Sequence, residues 1–363
     1  MLKDTATRYA AAAVMATGAM FAPLAATAQQ IPSQIEMIVP YNDGGGQAFY
    51  TRVISPALAA ELPGNPTIVT RFIPGAGSVV GINEFHARGA PDGSIIGSLA
   101  SGTIFNYVLG NPAVSYDLPA FRAILGSPFG VIVYGRTDHG LTGDSAADVA
   151  RLISAPAFYG GDGATAGSLP LLLSLELLGV SVRPVWGMTN AESRAGFERG
   201  EFQINFDNMA SYNAVVEPMI QDGSAVPLFT YGYEVNGEIV RDPIAPDIPT
   251  FLEVYEAVHG HPLTGLEYDV WKTLFDIRVM ASKMKVLPAG TPDEIVQIFA
   301  DAMERAVNSE AMQTQAAQEV LGPYTQVLGV EAANALLQNA ATMSDEQKDW
   351  LRNFLQTRYD TTF

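Results

Sequence analysis

The chain has 363 residues, of which 48% are hydrophobic and 16% charged, enough to bury the cores of two domains of ordinary size. With no Gly-X-Y period and no long polar tract, a collagen-like, coiled-coil or disordered chain is excluded. A formal charge of −18 without a basic cluster speaks against nucleic acid as a partner, and the lack of cysteine removes disulfides, thiolate catalysis, zinc–thiolate sites and iron–sulfur clusters together.

Lys3 and Arg8, an apolar run from Ala10 to Met20, and Ala26-Thr27-Ala28 predict a secretory signal over residues 1–28, cleaved near Ala28. The run is short and broken by Gly18 and Pro23, so a freely soluble exported protein beginning near Gln29 is expected. Beyond it, β-rich runs alternate with helical patterns, which argues α/β architecture with largely parallel sheets. Strands are predicted at 35–39, 67–72 and 95–99, the last ending at Ser101-Gly102-Thr103, with helices at 47–62 and 78–88. A second block has strands at 130–134, 158–160, 182–185, 204–207 and 227–231, with helices at 144–153, 168–178 and 192–199. A helix at 267–275 leads into 277–281, and helices at 293–307, 310–320, 330–343 and 345–355 follow. Two α/β blocks and a helical tail predict a discontinuous first domain, 29–126 plus 232–363, around a second domain at 127–231.

Glycine stands between a strand and a helix three times: Gly44-Gly45-Gly46, Gly75-Ala76-Gly77 and Gly160-Gly161-Asp162-Gly163. A helix start exposes unpaired N–H groups and the positive end of the macrodipole. Glycine lets the main chain approach a ligand closely, so such loops make an anion site that needs no Arg or Lys. Steric need alone also explains glycine in such turns. A dinucleotide fingerprint is a weak match, because the spacing is G-x-G-x-x-x-G and no acidic residue follows the next strand. His259 and His261 fit a solvated turn better than a metal site, and no G-x-S-x-G elbow is present. Asp207-Asn208 fits an acid/base pair or the polar edge of a pocket; Trp186, Trp271 and Phe206 fit core or hinge packing.

The order of these motifs resembles the receptors of tripartite tricarboxylate transporters, the Bug family. The resemblance is carried by Ile38-Val39-Pro40-Tyr41 with Gly44-Gly45-Gly46, and by Arg52 to Leu58 with its in-helix Pro56. Pro74-Gly75-Ala76-Gly77-Ser78, Gly81 with Asn83, Ala90-Pro91-Asp92-Gly93 and Ser101-Gly102-Thr103 continue it. Tyr159 to Gly163, Phe206-Asp207-Asn208, Pro246 to Phe251 with Glu253, and Pro288 to Pro292 complete it over nearly the whole mature chain.

The resemblance implies a two-lobed periplasmic binding protein of the Venus-flytrap, type II-like kind. Such a receptor is a monomer without cofactor, metal or catalytic residue. It closes on a small organic acid and hands it to a membrane permease of one large and one small subunit. The carboxylate would sit among main-chain groups, without a mandatory arginine. Tyr41, Asp43, Gly44, Gly45, Gly46, Ala76, Gly77, Ser78, Ser101 and Thr103 would line one side. Gly163, Ala164, Thr165, Ser168, Asp207 and Asn208 would line the other. The chain departs from the family pattern at Asn42-Asp43, at Arg71 (displaced from the second turn), at Gln203 and in a longer C-terminus. An inward Asp43 would repel an acid or pair with an amine. A receptor feeding a sensor kinase, and an exported α/β enzyme using a nucleotide or a carboxylate pair, stay open as alternatives.

Overall fold

A computed structural model describes residues 31–363. The expected signal segment and its cleavage point lie outside the described residues. Twelve strands follow in chain order: β1 Gln34–Val39, β2 Thr67–Phe72, β3 Ile95–Ala100, β4 Arg122–Ser127, β5 Val131–Arg136, β6 Ala157–Gly161, β7 Val182–Trp186, β8 Ile204–Asn208, β9 Ala225–Thr230, β10 Tyr233–Val235, β11 Glu238–Val240 and β12 Lys283–Leu287. One five-stranded sheet has the order β2-β1-β3-β12-β4. In it β1 runs parallel to β2 and β3, and β12 runs antiparallel to β3 and β4. The strands β8-β5-β9 form an antiparallel sheet, while β6-β7 pair in parallel beside it in the chain. The fold is α/β and two-lobed: a sheet whose strands come from both ends of the described chain, and a block of strands inserted between β4 and β12.

The five-stranded sheet is covered on both faces, which is why β1 and β3 read as nearly continuous apolar runs. Side chains alternate across a strand. Ile38 and Leu99 pack with Ile82 and Phe85, whereas Met37 and Val39 pack with Tyr50, Ile54, Leu58 and Phe299 from the helices Gly46–Glu61 and Asp293–Val307. At the passage from β4 to β5, Gly130 lies so close to the buried Asp242 that a Cβ would sit 1.7 Å from its carboxylate. Tyr324 donates its hydroxyl to that carboxylate at 2.9 Å, tying the C-terminal region to the crossover.

Three local features differ from the sequence reading or go beyond it. Residues 277–281 close a helix, in the π-turn Asp276–Met280, and a strand is the next segment, β12. Its pattern Lys283-Met284-Lys285 reads as polar, yet all five residues of the strand are buried. Ser101-Gly102-Thr103 is not a strand end but the first turn of a helix, Ser101–Val108, that starts directly after β3. The strand β4 has no counterpart among the predicted elements. Among the described residues no helix is long and apolar enough to cross a membrane.

Candidate functional site

The carboxyl ends of β1, β2, β3, β6, β7 and β8 converge on one cavity of about 470 Å³, a volume suited to a small organic molecule. Its first wall comes from the loops after β1 and β2 and from the start of the helix after β3. Tyr41, Gly44, Gly45, Gly46, Ala76, Gly77, Ser78 and Ser101 all line it. The second wall brings Asp162, Gly167, Phe206, Asn208 and the turn Gly187–Glu192.

The loop at 75–78 has an unusual backbone. Gly75, Ala76, Gly77 and Ser78 all have positive φ, at 140°, 47°, 60° and 90°. For Ala76 and Ser78 that conformation costs of order 1–2 kcal/mol each, and the Ser78 amide turns back to the Gly75 carbonyl at 3.1 Å. Ser78 is held by a 2.9 Å hydroxyl bond to Thr103. Gly46 begins its helix against the Asn208 amide, and a Cβ there would lie 2.4 Å from it. Gly45 differs: its φ is −96° and a Cβ would meet nothing within 4 Å, so a side chain fits there only by projecting into open space.

Several residues expected at the site stand behind or away from this wall. Asp43 points to solvent and pairs with Arg52, so it neither repels an acid nor holds an amine in the cavity. Thr103 is fully buried under Ser78. Asp207 faces away, accepting hydrogen bonds from Tyr134 at 2.8 Å and from Arg194. Neighbours on a strand face opposite sides, which is why Asn208 lines the cavity and Asp207 does not. Gly163, Ala164, Thr165 and Ser168 are not on the wall. Thr165 instead donates to Asn106 at 3.1 Å, and Asn106 donates to the Gly77 carbonyl, so this loop clasps the first wall. Ser168 donates to Asp162 at 2.7 Å and meets the Tyr159 hydroxyl at 2.8 Å.

The sequence reading places no side-chain cation at the site; the wall carries two. Arg278, from the π-turn before β12, is 7% exposed and lines the cavity. Among the described residues it has no hydrogen bond and no ion pair; its guanidinium lies over the Phe206 ring at 5.3 Å. Burial pulls it below the ordinary arginine range, with Tyr231, Tyr41, Asp162 and Tyr159 opposing that shift. Lys283 is 3% exposed and also lines the cavity. Asp162 is pushed upward by burial, while Ser168 and the amides of Gly167 and Ser168 hold it in place. Three further wall residues have a buried polar atom without a partner among the described residues: Gln47 Oε1, Asn208 Oδ1 and Ser282 Oγ. Arg278 and Lys283 escape sequence reading because nothing distinguishes them from surface cations in a polar-looking segment, and Ser282 between them reads as an ordinary surface hydroxyl.

Two lobes meeting at a cavity built from strand-to-helix loops define a periplasmic binding-protein fold. Solved structures share it. Among them is MatC from Rhodopseudomonas palustris with bound malate, 19% identical, covering 89% of this chain and 99% of that one with a TM-score of 0.65. Rpa4515 of R. palustris with adipate is 18% identical over 90% of this chain and 97% of its own, with a TM-score of 0.66. The periplasmic binding protein BugD is 17% identical over 90% and 97%, with a TM-score of 0.64. At these identities the likeness is one of fold. No protein-family model and no curated protein sequence matches the chain.

Proposed function

We propose that this chain is an extracytoplasmic receptor of the Bug type that captures a small organic acid, rather than an enzyme. In this reading residues 29–126 with 232–363, and residues 127–231, are the two lobes that close on the ligand. The observation that carries it is Arg278, a guanidinium buried in the cavity wall beside the left-handed loop at 75–78, with no ion pair among the described residues. A buried charge without a partner costs several kcal/mol, and an anionic ligand offsets that cost where a neutral one does not. Solved relatives in fold with malate and adipate bound support the same class of ligand. The negative surface does not oppose it, because charges more than about 8 Å from the ligand are largely screened at physiological salt.

Contacts made to both walls at once favour the closed arrangement, so ligand shifts the lobes by differential contact. Release would then be to a permease of one large and one small membrane subunit, in a periplasmic setting. The test is thermal unfolding against a panel of carboxylic acids, neutral sugars and amines. At a hundredfold excess over Kd a true ligand adds about 2.7 kcal/mol. At least one acid should raise the midpoint and no sugar or amine should; a panel with no responding acid, or a responding sugar, overturns the reading. Gly45→Val should keep the unfolding midpoint of the empty protein, since a Cβ there meets no atom of the described residues within 4 Å, while abolishing the acid-induced rise. A Gly45→Val protein that responds like the parent would remove this loop from the site.

A further inference from the structure

One contact between the two walls has no part in holding a ligand. Asn106, on the helix Ser101–Val108 of the first wall, is 1% exposed and has its whole side-chain amide engaged. Its Nδ2 donates to the carbonyls of Gly102 at 2.8 Å and Gly77 at 3.2 Å. Carbonyls only accept, so the amide is fixed this way round and its Oδ1 must meet donors. Those are the Asn111 amide at 2.7 Å and, from the second wall, the Thr165 hydroxyl at 3.1 Å. The loop that presents Thr165 is fastened by Asp162, which accepts from the Gly167 amide at 3.2 Å and the Ser168 amide at 3.3 Å. Packing agrees with the hydrogen bond: a Cβ on Gly77 would lie 2.7 Å from that of Ala166, so the two loops touch. Among the described residues no other hydrogen bond joins the cavity loops of one wall to those of the other. The bonds from Trp271 to Ser174, at 3.1 Å, and from Arg358 to Glu176 reach the later turns of the helix Leu169–Leu177, away from its cavity end.

We propose, on the reading of this chain as a receptor whose lobes close, that Thr165 and Asn106 form a latch that holds the walls together in the empty protein. The receptor then rests closed, and its ligand enters through transient opening. The latch needs no guest to complete it, because Asn106 fills both donor and both acceptor positions of its amide within the protein. The Thr165 bond exists only while the walls are together, so it shifts the two-state equilibrium toward closure by the net weight of one hydrogen bond, about fivefold. Asn106 also holds the Gly77 carbonyl, so the side chain that senses closure fixes the left-handed loop at 75–78 as well.

Distances between the lobes of the empty protein test this. The chain has no cysteine, so spin labels on Gln297→Cys and Ile153→Cys, exposed positions on the helices Asp293–Val307 and Ser145–Ile153, report that separation by pulsed double resonance. The empty labelled protein should give one dominant distance, matching the arrangement described above. Thr165→Val keeps the shape of a half-buried side chain and removes its hydroxyl. It should add a longer-distance population, lowering the closed-to-open ratio about fivefold. Thr165→Ser keeps the hydroxyl and should restore the original distribution. An empty protein found mainly at the longer distance, or a Thr165→Val protein with unchanged distances, overturns the latch. No ligand enters this experiment, so that result leaves the organic-acid reading standing. A panel without a responding acid overturns that reading, while the distances still decide the latch.

Discussion

Replacing Arg278 with methionine is expected to weaken organic-acid binding by at least a hundredfold while making the empty protein more resistant to heat. Two charge-assisted hydrogen bonds from one guanidinium to a carboxylate contribute roughly 3–6 kcal/mol together, which is about two to four decades in affinity. The same side chain destabilises the empty fold, because its charge is buried without an ion-pair partner among the described residues. Methionine keeps contact with the Phe206 ring and brings no charge. Arg278→Lys should not restore binding, since an ammonium lacks the planar fork. Calorimetric titration and thermal unfolding of both variants check the two halves separately. Undiminished affinity in Arg278→Met would show that the ligand is held by main-chain groups alone.

Lys285→Met should stabilise the protein at pH 6.5 and lose that advantage by pH 10. Lys285 is completely buried, and burial moves its proton loss from 10.5 down to about 7. Below pH 7 the ammonium is charged in folded and unfolded chains alike, and the full penalty of about 5 kcal/mol acts on the fold. As pH rises toward 10.5 the folded side chain is already neutral, so the penalty fades. Against this stand its hydrogen bonds to Ser98 at 2.5 Å and Thr51 at 3.2 Å, roughly 1 kcal/mol each. The net gain at pH 6.5 is about 3 kcal/mol, or about 4 °C for a chain of this size. Unfolding curves of parent and variant at the two pH values give the comparison. An equal difference at both would mean that Lys285 does not titrate within the fold.

The sequence makes the frame of this protein legible where periodicity and turn chemistry agree. Ile38 and Val39 before three glycines, and Pro74 to Ser78 before a helix, show both the strands and the loops that face the cavity. What it hides follows from the same rules. Lysine is almost never buried, so Lys283-Met284-Lys285 reads as surface, although it is the strand between β3 and β4. Such local conflicts between pattern and environment concentrate at functional sites. Side-chain direction is the second hidden quantity. Asp43, Thr103, Thr165, Ser168 and Asp207 are the right residue types near the right loops, but competing partners turn them aside, some of them distant in sequence (Tyr134 for Asp207, Asn106 for Thr165) and some local (Arg52 for Asp43, Asp162 for Ser168). The helix Ser101–Val108 was masked by Ser-Gly-Thr, a turn-like start that the structure uses as a first helical turn.

A crystal structure of the native protein with its acid bound is the most direct measurement. Carboxylate oxygens within hydrogen-bond distance of the Arg278 guanidinium and of main-chain N–H groups at 75–78 are the expected result. A ligand seated away from both, or a neutral ligand in that cavity, would contradict it.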